Sequence, residues 1–205
     1  MGIYEERVLP HIIDKTCGSA MLDPVREKAC AGLRGRVVEI GFGSGRNVPF
    51  YPAAVTSVSA VEPADRGWAM AAGRVARSTV PVERSGLDGQ SLPFADNSFD
   101  SALTTWTLCT IPDVQAALAE LRRVLAPGGT LHFAEHGLAP DPGVQKWQQR
   151  LNPVQNTLFG GCNLNRDVRI MLEDAGFEIR ELDRFYEKFA PKFLGAQSLG
   201  TAVSA

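Results

Sequence analysis

The sequence predicts an α/β fold in which seven strands form one sheet, helices cover both faces and the last strand is antiparallel. Three observations carry that prediction. Apolar, β-branched runs at Arg36 to Ile40, Val55 to Val61 and Thr130 to Ala134 are separated by helical patterns, the signature of parallel strands joined by crossovers. The first of these runs ends directly in Gly41, Gly43 and Gly45, residues that take positive φ freely and let a backbone press close to a ligand. The length, 205 residues, suits one domain with a single large core.

Composition narrows the function classes. With 44% hydrophobic and 21% charged residues the chain reads as a soluble globular protein. A net charge of −2 gives no electrostatic footprint for nucleic acid, and the adjacent Arg122 and Arg123 read as a solvated helix face. No apolar run is long enough to span a membrane, and Glu5 and Glu6 stand where a signal peptide would be apolar. Cys17, Cys30, Cys109 and Cys162 have neither C-x-x-C spacing nor the regularity of a disulfide framework, so reduced thiols in a cytoplasmic protein are expected.

In chain order, residues 1–35 form a helical extension. Tyr4, Val8, Leu9, Ile12 and Ile13 recur at helical spacing, with packing on the domain the simpler role and closure of Tyr4 and His11 over a ligand the alternative. Asp23-Pro24 starts a second helix that Leu33 and Gly35 end. The glycine turn reads G-x-G-x-G, and Arg46 occupies the position of the third glycine in a dinucleotide fingerprint. Glu39, two residues before Gly41, is a poor neighbour for a pyrophosphate and a good one for an ammonium or sulfonium. Val55 to Val61 ends in Glu62-Pro63, an acid placed to accept hydrogen bonds from both hydroxyls of a ribose. A helix over Ala64 to Ser78 and a short strand at Val80 to Arg84 follow.

Ser101 to Leu108 reads as the fourth strand, which puts Thr105, Trp106 and Thr107 at its ligand-facing end, although Trp106 suits a core equally well. Asp113 caps a helix with one apolar stripe, and Pro127-Gly128-Gly129 leads into the fifth strand. His132-x-x-Glu135-His136 resembles a metal pair, but on a strand the two histidines lie roughly 13 Å apart, so no metal is expected there. His136 suits an acceptor-site base or substrate contact, or a structural role. Asp141-Pro142 opens an amphipathic insertion, broken at Pro153, that makes residues 141–165 a candidate substrate lid. Asn165 is placed to cap a helix over Arg166 to Ala175, with the sixth strand at Phe177 to Asp183 and the seventh at Gln197 to Val203.

The glycine turn resembles motif I of the class I S-adenosylmethionine (SAM) dependent methyltransferases, whose fold is Rossmann-like. The run Leu87-Asp88-Gly89-Gln90-Ser91-Leu92-Pro93-Phe94, continued by Asp96-Asn97-Ser98-Phe99-Asp100, is similar to their pattern G-D-A-E-x-L-P-F…D-x-S-F-D, with Gln90 replacing the usual acid and Leu87 a glycine. The resemblance implies a SAM site, with S-adenosyl-L-homocysteine as product, built from Glu39, Gly41, Phe42, Gly43, Gly45 and Asn47 around the first strand. It implies Glu62 and Pro63 at the ribose, Asp88 and Gly89 at the adenine, and Thr105 and Trp106 near the methionine. Gly-Ser-Gly-Arg-Asn, Glu135-His136 and Gly-Cys-Asn-Leu-Asn-Arg together resemble the methyltransferase-like protein 7 branch, which methylates small alkyl thiols. The N-terminal membrane anchor of its animal members has no counterpart in this sequence, so their lipid association is not expected. The expected reaction is methyl transfer to a small apolar acceptor, best a thiol. His136 and Arg166 would favour the thiolate, Asn165 would orient the acceptor, and Cys162 would lie nearby without acting as nucleophile. Methylation of a quinone-like or lipid-like acceptor at O or N, and a non-catalytic SAM-binding module, are the alternatives.

Overall fold

The computed structural model describes residues 9–204. The strands are β1 (Gly35–Ile40), β2 (Val55–Val61), β3 (Val82–Gly86), β4 (Phe99–Thr105), β5 (Leu125–His136), β6 (Phe177–Tyr186) and β7 (Ala196–Ser204). They form one sheet in the order β3-β2-β1-β4-β5-β7-β6. β7 is antiparallel to both neighbours, and β1 to β5 pair in parallel. Strand order reverses between β1 and β4, so a crevice opens beyond their carboxyl ends, where ligands bind in open α/β sheets.

The helices are α1 (Leu9–Thr16), α2 (Asp23–Cys30), α3 (Asp65–Val75), α4 (Val114–Val124), α5 (Pro142–Leu158) and α6 (Val168–Asp174). Side chains of successive strand residues point to opposite faces, and the core divides accordingly. Val38, Ile40, Leu131 and Phe133 pack with Leu118 and Leu121 of α4 and Leu172 of α6, while Val37, Leu103 and Ala134 pack with Val25 and Ala29 of α2. Helices on both faces follow from strands buried on both sides.

Several boundaries differ from the sequence expectation. β4 begins at Phe99, whose buried ring meets Phe94 edge-on at 4.8 Å, and it ends at Thr105 rather than Leu108. The early end has a cause: Trp106 turns to φ +50, and the Glu135 carboxylate accepts the Thr107 and Leu108 amides, drawing them off the ladder. β5 starts earlier, at Leu125, with a bulge over Pro127 to Gly129. α5 runs through Pro153 as one helix of 17 residues. Proline removes one intrahelical hydrogen bond, and Pro153 is exposed, so the loss falls on the solvent side of the helix. α6 begins at Val168 because Asp167, not Asn165, caps it by accepting from the Arg169 and Ile170 amides. Asp23 is the first residue of α2 rather than its cap, and β3 sits two residues later than expected. Tyr4 and Val8 lie outside the described residues.

Candidate active site

The turn after β1 is shaped by its glycines. Gly41, Gly43 and Gly45 have φ of +73, +55 and +72. A Cβ at Gly41 would overlap the side chain of Thr107, so two strand ends meet there backbone to side chain. At Gly43 a Cβ would meet only the Gly41 carbonyl oxygen, at 3.9 Å: this glycine serves the backbone angle and faces open space. The Phe42 ring is buried beneath the turn against Trp68, 5.4 Å between centroids, which leaves its backbone for any ligand contact.

Glu39 is buried at the end of β1 and accepts from Asn47 Nδ2 at 3.0 Å and from the Tyr51 hydroxyl. Asn47 is a junction: Nδ2 also donates to Thr105 Oγ1 at 2.9 Å, and Oδ1 accepts from Arg26 at 2.6 Å. Burial nevertheless pushes the Glu39 carboxyl up to about 7, against the pull of the Tyr51 and Asn47 hydrogen bonds. An anion so poorly compensated fits a cationic ligand. Sequence reading missed Arg26 and Tyr51; an arginine among the apolar positions of a helix face was the available signal for the first.

Glu62, buried after β2, accepts from the Gly43 amide at 2.6 Å and the Ala64 amide at 2.8 Å. A carboxylate has about four lone-pair sites, so two remain for ribose hydroxyls. Pro63 is exposed beside it, its carbonyl held by Arg84. Asp88 is exposed after β3, its Oδ1 accepting from the Gln90 amide at 2.8 Å and side chain at 3.1 Å; Gln90 Oε1 accepts from the Asp113 amide. The residue that departs from the family pattern therefore ties the loop after β3 to the start of α4. Gly89 is required by proximity, since a Cβ there would come 2.7 Å from Ile40 Cγ2.

α1 is clamped onto the glycine turn. Asp14 accepts from Arg46 Nε at 2.8 Å and Nη2 at 2.7 Å, and from the Ser44 hydroxyl. The Arg46 hydrogen bond leads in holding the Asp14 carboxyl below its usual range. Arg46, which stands where a dinucleotide site has glycine, thus serves to dock the N-terminal helix. His11 of α1 meets Arg66 of α3 at 3.1 Å.

At the exits of β4 and β5 the second half of the site assembles. The Trp106 indole donates to Gln197 at 2.9 Å with the Arg26 guanidinium 4.6 Å over its ring, and its backbone is left-handed at φ +50. Left-handed non-glycine residues cluster at functional sites. Glu135 is fully buried and its carboxyl is pushed up to about 8 by that burial. Beyond the turn, Cys162 Sγ lies 3.7 Å from Cys109 Sγ and 3.6 Å from His136 Nδ1. The Cys109 hydrogen bond first, and His136 after it, hold the Cys162 thiol below its usual value, while Cys109 is raised. His132 sits elsewhere, beside Thr130 and Gly32.

Arg166 donates to the carbonyls of Leu108, Ile111 and Pro112, so its guanidinium fixes the turn that carries Cys109. Its charge also favours the anionic forms of Cys109 and Cys162. Asn165 is exposed, whereas Asn163 joins the two loops, its amide and Nδ2 both donating to the Cys109 carbonyl at 2.9 and 3.1 Å.

Residues 38–133 match the family model described as a methyltransferase domain. Human thiol S-methyltransferase TMT1A is 31% identical over 179 residues, covering 84% of this chain and 73% of the relative. Human thiol S-methyltransferase TMT1B is 33% identical over 184 residues, covering 86% and 74%. A crystal structure of a SAM-dependent methyltransferase from Aquifex aeolicus superposes with a TM-score of 0.64 at 19% identity, covering 96% of this chain and 98% of the other, a likeness of fold. No helix among the described residues is long and apolar enough to cross a membrane. With two relatives above 30% identity aligned along most of its length, the chain belongs to the class I SAM-dependent methyltransferases, in the family that holds the two human thiol S-methyltransferases.

Proposed function

We propose that this methyltransferase transfers the methyl group of SAM to the sulfur of a small apolar thiol, in a reducing, cytoplasmic setting. The observation that carries this reading is the gathering of His136, Cys109 and Cys162 at the exits of β4 and β5, in a chain related to thiol S-methyltransferases along most of its length. Polarisable sulfur and an imidazole suit an incoming sulfur better than an oxygen acceptor.

Bound SAM supplies an activated sulfonium methyl, and transfer is an in-line displacement. The chain's own residues then bind and orient. Glu39, with Asn47 and Thr105, faces the charged methionine end, Glu62 the ribose, and Asp88 with the Gly89 amide the adenine. Holding the two reactants in attack geometry contributes ~7–11 kcal/mol toward the barrier. His136 stands beside the acceptor sulfur, and Arg166 is a positioning residue that holds the turn at Cys109. Asn165, exposed, is left to contact acceptor or solvent at the loop's rim. The lid reading of residues 141–165 draws support from α5, which exposes Trp147 and Val154 while burying Gln148.

A panel of alkyl thiols, phenols and amines with methyl-labelled SAM tests the proposal. The expected result is label on thiols at least tenfold faster than on phenols or amines, with His136→Ala and Arg166→Ala both slowing thiol turnover. Preference for a phenol, or full thiol turnover in both variants, contradicts it.

A further inference from the structure

The side chains that SAM binding leaves unused converge on one point. One ligand atom each from Cys109, His136 and Cys162 lies within 4.8 Å of the other two. Tetrahedral zinc, with Zn–S of about 2.3 Å and Zn–N of about 2.0 Å, has edges of about 3.7 Å between sulfurs and about 3.5 Å between sulfur and nitrogen. The observed Sγ–Sγ separation of 3.7 Å and Sγ–Nδ1 separation of 3.6 Å match two of those edges, and the third is at most 4.8 Å.

We propose that Cys109, His136 and Cys162 form a Cys2His site for a thiophilic divalent cation of the zinc class, whose open fourth position takes the acceptor's sulfur. The second half of this inference rests on the thiol reading above; the cation site does not. Two sulfurs and one imidazole select a soft or borderline cation over magnesium or calcium. Three protein ligands with a vacant position are the arrangement of a catalytic rather than a structural zinc site.

The surroundings hold these ligands before any cation arrives. Asn163 ties the Cys162 loop to the Cys109 carbonyl with two hydrogen bonds, and Arg166 and Glu135 fix the turn on either side of Cys109. His136 is set by its β5–β7 register opposite Gln197. Its Nε2 is buried with no hydrogen-bond partner among the described residues, and Nδ1 is the ring nitrogen that faces Cys162 Sγ.

Charge favours the same arrangement. Two thiolates neutralise the cation, and a bound acceptor thiolate makes the centre anionic, opposite a sulfonium. On binding, the acceptor thiol releases its proton to solvent. Its sulfur lone pair then forms the bond to the methyl carbon as the sulfonium C–S bond breaks. The electron pair of that bond stays on the sulfur of S-adenosylhomocysteine, and the neutral thioether, a weak ligand, departs.

Reduced full-length protein, freed of metal with a chelator, is titrated anaerobically with Co2+ alone and, separately, Zn2+ alone. Expected are one ion per chain by mass spectrometry of the metal, and thiolate-to-cobalt absorption of a tetrahedral site that changes when hexanethiol is added. Cys109→Ala, Cys162→Ala and His136→Ala should each lower uptake at least tenfold, while S-adenosylhomocysteine still raises their melting temperature, which establishes folding. No uptake by the reduced protein, or uptake indifferent to the three substitutions, overturns the site; thiol turnover that a chelator leaves untouched overturns the acceptor-ligand step, while sparing the thiol reading. Stoichiometric cobalt in a protein that methylates no thiol overturns the acceptor-ligand step and the thiol reading together, leaving the cation site standing.

Discussion

The two ends of the crevice are built differently. At the β1–β2 end, each functional group comes from a short contiguous stretch: Gly41 to Asn47, Glu62 to Ala64, Asp88 to Gln90. At the β4–β5 end, the groups come from positions 109, 136 and 162, joined only by tertiary contacts through Asn163, Glu135 and Arg166. The first end serves a ligand of fixed shape, and its network is tight, with Asn47 bridging Glu39, Thr105 and Arg26. The second borders α5, an amphipathic helix with exposed Trp147 and Val154, and in the proposed reaction takes an acceptor whose shape the scaffold does not dictate. A fixed ligand imprints local spacing on a sequence; a variable one does not.

The sharpest way to break the comparison is at Gly41. Gly41→Ala places a Cβ in the Thr107 side chain at φ +73, so strain and overpacking together should destabilise the chain by about 3 kcal/mol in urea unfolding and abolish SAM binding. Gly43→Ala, with open space at the same kind of angle, should cost only about 1 kcal/mol in stability. Equal losses would show that the Thr107 contact is irrelevant.

Next in size is the carboxylate at the methionine end. Glu39→Gln removes the charge, keeps most hydrogen-bonding capacity and should weaken SAM binding at least tenfold by calorimetry at pH 8, with no loss of stability in the free protein. The same group predicts opposed pH slopes. In the folded chain its carboxyl titrates at about 7, above the usual 4.5, so between those values the folded state holds a proton the unfolded state has released. Stability of the free protein should therefore fall by up to about 3 kcal/mol as pH rises from 4.5 to 8, while SAM affinity rises until pH 7 and then levels. Glu39→Gln should level the affinity profile and remove its own share of the stability slope, leaving the share of Glu135, whose carboxyl is raised to about 8; unchanged slopes would assign them elsewhere.

Smaller effects should come from the clamps. Asp14→Ala frees α1 from Ser44 and Arg46 and should weaken SAM binding about threefold, in keeping with a partly exposed ion pair. Gln90→Ala, which unties Asp88 from α4, should raise the KM for SAM by a similar or smaller factor at unchanged kcat. A kcat effect in either would mean that cofactor-side loops reach the acceptor end.

This asymmetry also explains what the sequence disclosed. The succession of strands and helices and the glycine turn after β1 were legible because strand periodicity and glycine angles are local properties. The ends of β4 and α5 were not: Glu135, far along the chain, draws the Thr107 amide off its strand, and exposure on one helix face lets Pro153 pass. Asn165 reads as the cap of α6 because asparagine caps well, and only the backbone shows that Asp167 takes that place. The sequence suggests Arg166 as a charge near a thiolate but not its three carbonyl partners, and no spacing announces that Cys109 and Cys162 meet.

The most direct measurement pairs two readouts on His136→Gln: calorimetric affinity for S-adenosylhomocysteine and rate of methyl transfer to an alkyl thiol. The account predicts affinity within about threefold of the parent chain and a rate lower by a factor on the order of 100, equivalent to about 2.7 kcal/mol. Affinity lost in step with the rate, or a rate left unchanged, would contradict a cofactor end that stands complete without its acceptor end.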